Sequence, residues 1–177
     1  MDAVEIIQII ESGAQQYFNG LLQEVRMNLG TTYYRRLSNE ELARRMTVVY
    51  KGLENWLVGP NDAAVDNAGE DLGKRRFTES IPLGQVVLSL LLEEKYLRKY
   101  IADQGVTLED EWSKVISGYF RRLIYAVAQG YEAALAHSNR HALGNVPVEH
   151  HPHQEAQPQP QGELEISRGG DIGEVSG

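Results

Sequence analysis

The sequence contains no cysteine among its 177 residues. This absence excludes disulfide bonds, thiolate metal sites and cysteine nucleophiles, and it fits a protein of a reducing compartment. The sequence also has no glycine-rich phosphate loop, no serine elbow of the hydrolase type and no dinucleotide-binding fingerprint. We therefore predict a protein that is not an enzyme, with no catalytic residue, no metal and no cofactor.

Long apolar runs are missing as well. The longest is VVLSLLL, which begins at Val86 and is interrupted by Ser89. A helix that crosses a bilayer needs about 20 apolar residues, so this run is too short. The first residues, MDAVEIIQIIES, carry an acid at the second position, whereas a signal peptide begins with basic residues. The sequence therefore predicts a cytoplasmic protein without a membrane segment.

Positive charge is scarce, since 17 Lys and Arg residues face 25 Asp and Glu residues and the net charge is −8. The basic residues occur as short pairs interleaved with acids, a pattern typical of solvated helix faces. Such a surface gains little from counterion release, so we expect neither nucleic acid nor an anionic membrane as a partner. An electrostatic docking face for a protein is the alternative interpretation of the basic pairs.

Strand patterns are absent, and helical spacing runs through residues 1–140. Steps of three and four predict one long first helix, with Ile7, Ile10, Ala14, Tyr17 and Leu21 on its buried side. Ser38, with Glu41 three residues later, predicts the start of a second helix, and Asp62 predicts the cap of a third. We predict a single all-α bundle of about five helices, for which a globin-like arrangement is one possible form.

The remaining two helices follow from proline, glycine and aromatic positions. Pro82 suits the first turn of a fourth helix, which is apolar on nearly every side and should be the central one. Thr107 predicts the start of a fifth helix, which should end near His137. Residues 141–177 are rich in Pro, Gln, Gly and Glu, and they hold too few apolar side chains for a core. We predict a disordered acidic tail there.

Histidine supplies the only residues that invite a metal or haem interpretation. His137 and His141 are four residues apart, a spacing that can form half of a zinc site on a helix, and three more histidines follow in the tail. This pair lies where the last helix should fray, so we predict no functional metal site. His137 is also the one candidate haem ligand, although axial ligation requires a pocket with apolar walls.

Paired carboxylates are common, as at Glu93 and Glu94, and raise the question of acid–base chemistry. Adjacent residues on a helix point about 100° apart, because the helix has 3.6 residues per turn. Two neighbouring glutamates therefore do not share one site. We predict that none of these pairs is hydrolytic.

A distinctive order of residues surrounds the predicted fourth helix. A Gly, two residues and an Arg are followed by a small-apolar-Pro-Leu turn and an aliphatic helix, at Gly73, Arg76, Ile81, Pro82, Leu83, Val86, Val87 and Leu90. Upstream lies ELARRMTVVYKGLENWL, and downstream lies the aromatic segment ISGYFRRLIYAVAQGYEAAL. In this order residues 38–135 resemble the N-terminal domain of the RsbT co-antagonist family (RsbRD type).

That resemblance implies an all-helical input module of bacterial stress signalling. Family members usually continue into an output domain, whereas this chain continues into the predicted tail. We therefore predict a non-enzymatic signalling or regulatory module that acts by protein–protein contact. Two alternatives stay open: a small-molecule or haem sensor in a globin-like bundle, and a scaffold or adaptor whose tail binds a partner.

Two sets of residues are candidates for that function. Gly73, Arg76, Pro82 and Leu83 form a predicted hinge: Gly73 allows two helices to approach closely or allows Arg76 to reach a neighbouring carbonyl, and Pro82 fixes the start of the central helix. The hinge is structural first, with signal transmission between helices as its second role. The first helix also has a surplus apolar seam, which predicts a homodimer interface at Ile6, Ile9, Phe18 and Leu22.

Overall fold

The structure is a computed structural model that describes the backbone of residues 2–144 and the side chains of residues 2–140. Over this range the chain is all-α, without a strand. It forms six α-helices and one short 3₁₀ helix, Thr32–Arg36. The α-helices are α1 (Ala3–Ser12), α2 (Ala14–Met27), α3 (Asn39–Val58), α4 (Asp62–Thr78), α5 (Leu83–Asp103) and α6 (Asp110–Gly144). The predicted bundle is confirmed. The predicted tail lies outside the described residues, except that 141–144 continue α6.

Side-chain caps fix where three of the helices begin. Asp2 accepts a hydrogen bond from the Glu5 amide at 2.9 Å, and the Glu5 carboxylate accepts one from the Asp2 amide in return. Ser38 accepts from the amide of Glu41 at 3.1 Å, which confirms the predicted start of α3. The cap of α4 is Asn61 and not Asp62, because the Asn61 side chain accepts from the amide of Ala64.

The predicted long first helix is wrong, because the chain breaks at Gly13 into α1 and α2. The Tyr100 hydroxyl of α5 occupies the place where a side chain at residue 13 would begin, 2.0 Å from an ideal Cβ position. This hydroxyl also donates a hydrogen bond to the Gly13 carbonyl at 3.3 Å. Glycine therefore allows α5 to press against the helix break.

The central helix is α5, as predicted, since it contacts α1, α2, α4 and α6. Its inner side supplies fully or almost fully buried residues to the core, among them Val86, Leu90, Leu97 and Ile101. The apolar character of α5 on nearly every side does not mean that every side is buried, because Leu91 is 46% exposed. One face of the central helix therefore reaches the surface beside α2.

Helices α4 and α6 pack through small residues, which we call the α4–α6 seam: Gly69, Gly73, Ala126 and Gly130. An ideal Cβ at Gly73 would lie 2.1 Å from the carbonyl oxygen of Val127, and one at Gly130 would lie 2.1 Å from that of Glu70. Both clashes are with backbone, so the two helices are in direct backbone contact. The predicted role of Gly73 in a close helix approach is confirmed.

None of the helices within residues 2–144 combines the length and the apolar character that crossing a bilayer requires.

Candidate functional site

The predicted hinge is the turn between α4 and α5, residues 79–82, which we call the junction. Ser80 has a backbone φ of 58°, a left-handed conformation that is uncommon for a residue with a side chain. The next residue, Ile81, is fully buried, and its amide donates to the carbonyl of Arg76 at 3.0 Å. Pro82 is the residue just before α5, one position earlier than predicted, and Leu83 begins the helix. The sequence therefore located this turn to within one residue.

Side chains from two other elements hold the junction in place. Tyr33 of the 3₁₀ helix donates its hydroxyl hydrogen to the carbonyl of Glu79 at 3.3 Å. Tyr131 of α6 donates to the carbonyl of Ile81 at 3.0 Å. Gln85, in the first turn of α5, accepts a hydrogen bond from the Tyr33 amide at 2.8 Å. The junction is thus the point at which α4, α5, α6 and the 3₁₀ helix are joined.

Two arginines share one carboxylate at the junction, and we call Arg45, Arg76 and Glu79 the junction cluster. Arg45 of α3 donates to both Glu79 oxygens, at 2.8 and 3.2 Å, and Arg76 donates to the same carboxylate at 3.0 Å. Arg45 also donates to Glu41 at 2.6 Å. Arg76 therefore binds a carboxylate, and not the neighbouring carbonyl that was the second of the two alternatives predicted for Gly73. Burial, and then the proximity of Arg45, lower its pKa from the ordinary value.

Gly73 is the one predicted hinge residue that the structure does not bring to the junction. It lies one turn before Arg76 on the α4–α6 seam, where it faces α6. Its contribution is to set the distance between α4 and α6, and hence how Tyr131 reaches the junction. Whether the junction transmits a signal stays a prediction.

Glu93, on α5, is a buried acid that the sequence analysis missed as a candidate. It is only 7% exposed and lies among core residues of α5. Burial raises its pKa to about 8, and the nearby Arg76 guanidinium offsets only part of that rise. Tyr17 of α2 and Tyr119 of α6 are close enough for the Glu93 charge to raise their pKa values further, beyond the larger effect of their own burial. Glu93 is therefore largely protonated and neutral at pH 7.

The spacing on α5 contained the signal for this burial. Glu93 lies seven residues after Val86, four after Ser89, and four and seven before Leu97 and Tyr100, all of which are buried. It thus occupies a core position of the helical repeat. Its neighbour Glu94 points away, pairing with Arg98 at 3.1 Å, so the two acids do not share a site, as predicted.

The candidate haem ligand His137 lies exposed on α6, seven residues, or nearly two turns, before Gly144 at the end of the helix. An axial ligand lies instead in an apolar pocket that excludes water. Within the part of the chain that the structure describes, no group of three His, Asp or Glu side chains is placed to hold a metal ion. The side chain of His141 and the tail histidines lie outside the described residues.

The four predicted dimer residues do not form one surface. Ile6 is fully buried within the single chain, so its assignment to an interface is wrong. Phe18 and Leu22 are partly buried and pack against the core, with the Phe18 ring 5.9 Å from that of Tyr50 on α3. Ile9 lies in a shallow groove beside Val106. The burial follows from the break at Gly13, because α1 and α2 bury different sides. The homodimer itself stays a prediction.

Another side of α2 is both exposed and uncharged. All of its exposed residues are amides or apolar, and we call them the α2 face: Gln15, Gln16, Asn19, Gln23 and Met27. Met27 is 78% exposed, and Leu29 just beyond the helix is 83% exposed. The Glu24–Lys95 ion pair, at 3.4 Å, places the adjacent part of α5 alongside, so the exposed Leu91, one turn before Lys95, extends this surface.

A comparison with models of protein families matched none of them. Searches of curated proteins and of solved structures likewise found no match. The resemblance to the RsbT co-antagonist family therefore stays a prediction, and the function has to be argued from the geometry of the junction and of the α2 face.

Proposed function

We propose that this protein is a non-enzymatic regulatory module of bacterial signalling that acts by protein–protein contact and works as a homodimer. The proposal follows the resemblance to the RsbT co-antagonist input domains. A cytoplasmic location belongs to the same proposal, supported by the cysteine-free sequence. The observation that carries it is the α2 face, together with the exposed Leu29 and Leu91.

The composition of this surface is that of an interface centre. Protein interfaces are depleted of charge at their centres and enriched in methionine, with charged groups at the rim. The α2 face has amides and Met27 at its centre, and the Glu24–Lys95 pair lies at its edge. Exposed apolar groups are stabilised when a matching surface covers them, and amides can be covered at little cost where they find hydrogen-bond partners on that surface. In this chain 24% of residues are charged, so an exposed helix side without any charge is unexpected unless another surface covers it.

A second copy of the same chain is the occupant that the charges favour. Two copies that each carry a net charge of −8 repel each other, so contact is least costly where neither copy presents charge. A two-fold contact also juxtaposes the same surface twice, and an edge with one acid and one base is complementary to itself. Glu24 of one copy can then face Lys95 of the other.

The link to regulation is that α5 reaches both the junction and this surface. Leu83 begins α5 at the junction, and Leu91 lies on the proposed dimer surface about two turns later. Leu91 is two residues before the buried Glu93. A displacement of α5 driven by the junction cluster would therefore move part of the dimer surface. Partly buried ion pairs such as these add little stability, so a role in switching is a reason for the chain to retain this cluster.

We expect the double variant Met27→Glu/Leu91→Glu to convert a homodimer into a folded monomer. Four added negative charges would face one another across the two-fold contact, while both positions are solvent-exposed in the single chain and tolerate charge. Light scattering should give twice the chain mass of 19.9 kDa for the wild type and that mass once for the variant. Circular dichroism should show unchanged helix content.

Val58→Glu is the matched control, because Val58 is 72% exposed but lies at the end of α3 and not on the α2 face. This variant should remain dimeric. A monomeric wild type would exclude the proposed assembly, and a double variant that stays dimeric would place the contact on another surface.

A further inference from the structure

A half-enclosed pocket of about 160 Å³ lies where α3 ends, α4 begins and the middle of α6 crosses them. Its lining is mainly apolar, from Trp56 on α3, Ala64, Val65 and Ala68 on α4, and Tyr119 and Leu123 on α6. It is separate from the junction and from the α2 face. No residue predicted from the sequence as a site belongs to it.

The two aromatic rings of the pocket are held by hydrogen bonds that point away from it. The Trp56 indole N–H donates to the carbonyl of Val115 at 3.1 Å, and the Tyr119 hydroxyl donates to that of Val49 at 2.8 Å. Gly52 leaves room for Tyr119, because an ideal Cβ there would lie 2.4 Å from the hydroxyl oxygen. The ring faces are thus fixed before any ligand arrives, which lowers the entropic cost of binding.

Alanine on α4 keeps the pocket open. Ala64 and Ala68 are one turn apart, and both line the pocket. A larger side chain at either position would fill part of the pocket volume. At the rim are the amides of Asn55 and Asn61. The Asn61 oxygen already caps the Ala64 amide, which leaves its NH₂ group as a hydrogen-bond donor at the rim.

The size and the lining define the chemistry of a ligand. A cavity of about 150 Å³ with apolar walls accommodates one benzene ring. None of the described residues that line this pocket is charged, and an ion would lose its hydration there without a counter-charge. Two ring faces favour an aromatic partner, and the asparagine amides suit one polar substituent at the open side.

We propose that the α3–α4–α6 pocket binds a neutral, single-ring aromatic molecule that carries one hydrogen-bonding substituent. The ring packs against Leu123 and against the Trp56 and Tyr119 rings, whose centroids are 6.3 Å apart, and the substituent reaches the amides of Asn55 and Asn61. This ligand site is independent of the proposed dimer, since none of its residues lies on the α2 face.

The test uses 4-fluorobenzyl alcohol as the probe and the full chain as the protein. Fluorine NMR should show saturable one-to-one binding with a dissociation constant on the order of 1 mM, a value within reach of such a small ligand. The indole N–H resonance of Trp56 should shift along the same isotherm. A probe that never saturates, or a Trp56 signal that does not move, would refute the site.

Filling the pocket should abolish this binding. Ala68→Leu and Ala64→Leu each place a larger, helix-compatible side chain in the space, at positions that are exposed in the ligand-free chain, so both should fold. We expect each variant to bind the probe at least tenfold more weakly. Ala63→Leu, on the same helix but outside the pocket, is the control and should bind as the wild type does. Equal binding by the wild type and both filled variants would overturn the proposal, and so would an equal loss in Ala63→Leu.

Discussion

Gly73→Ala is expected to destabilise the fold by roughly 3 kcal/mol and to lower the Tm by about 10 °C. The new methyl group would stand 2.1 Å from the Val127 carbonyl oxygen and 2.7 Å from the Tyr131 amide nitrogen. Neither atom belongs to a flexible side chain, so α4 and α6 must move apart along the whole seam. Thermal unfolding followed by circular dichroism measures the effect directly.

Gly118→Ala provides a matched control within α6. Apart from the neighbouring backbone of α6 itself, no atom lies within 4 Å of an ideal Cβ at this position, so the methyl group meets open space. Alanine restricts the unfolded chain and favours the helix, and we expect a gain of about 0.5–1 kcal/mol. If Gly73→Ala were as stable as Gly118→Ala, the backbone contact between α4 and α6 would be ruled out.

The free energy of unfolding of Glu93→Gln, relative to that of the wild type, is expected to increase by about 3 kcal/mol as the pH rises from 5 to 8. The pKa of Glu93 rises from 4.5 to about 8 on folding, so the folded chain binds the proton more tightly than the unfolded chain. The favourable effect of the neutral carboxyl is complete below pH 4.5. It is then lost at about 1.4 kcal/mol per pH unit as the pH rises to 8. Glutamine stays neutral throughout.

The measurement is a series of urea unfolding curves for both proteins at several pH values. Ser89→Ala, one turn earlier on the same buried side of α5, is the control, since serine does not titrate in this range. The free-energy difference between this control and the wild type should be the same at every pH. A pH-independent difference for Glu93→Gln as well would mean that Glu93 is ionised in the folded protein.

Most of the helices could be predicted because their signals are local. Ser38 and Glu41 are three residues apart, and the capping interaction that they predict needs no other part of the chain. Pro82 likewise marks the start of α5 through its own geometry. The steps of three and four placed Ile10, Tyr17 and Leu21 on a buried side for the same reason, since a helix carries its pattern in contiguous sequence.

Two of the failures depend on residues distant in sequence. A single glycine inside a helical pattern is tolerated, so Gly13 gave no reason to expect a break. The break becomes intelligible only with Tyr100, 87 residues away, whose hydroxyl fills the space beside Gly13. The dimer prediction failed at Ile6 through the same error, because a continuous helix would have turned that residue outward.

Glu93 was missed for a different reason. Its spacing matches the buried side of α5, but Glu93 and Glu94 were considered only as a possible hydrolytic pair. The prediction that the two acids do not share a site is correct, but it carried no expectation that one of them is buried. Which of them faces inward depends on the rotation of α5 against α2 and α6, and that rotation is set by contacts between helices.

Hydrogen bonds from tyrosine hydroxyls favour one alignment of the helices over alignments in which a helix has slipped by one turn. Four of them donate to backbone carbonyls of other elements: Tyr33 to Glu79, Tyr100 to Gly13, Tyr119 to Val49 and Tyr131 to Ile81. Apolar stripes alone would allow a helix to slip by one turn, about 5.4 Å, and still bury similar surface. Each slip would leave a tyrosine hydroxyl without its hydrogen-bond acceptor, at a cost of about 1–3 kcal/mol. Phenylalanine at these four positions would keep the hydrophobic volume but would leave an ensemble of near-equivalent packings. The hydroxyl groups therefore contribute more to the uniqueness of the native packing than to its stability.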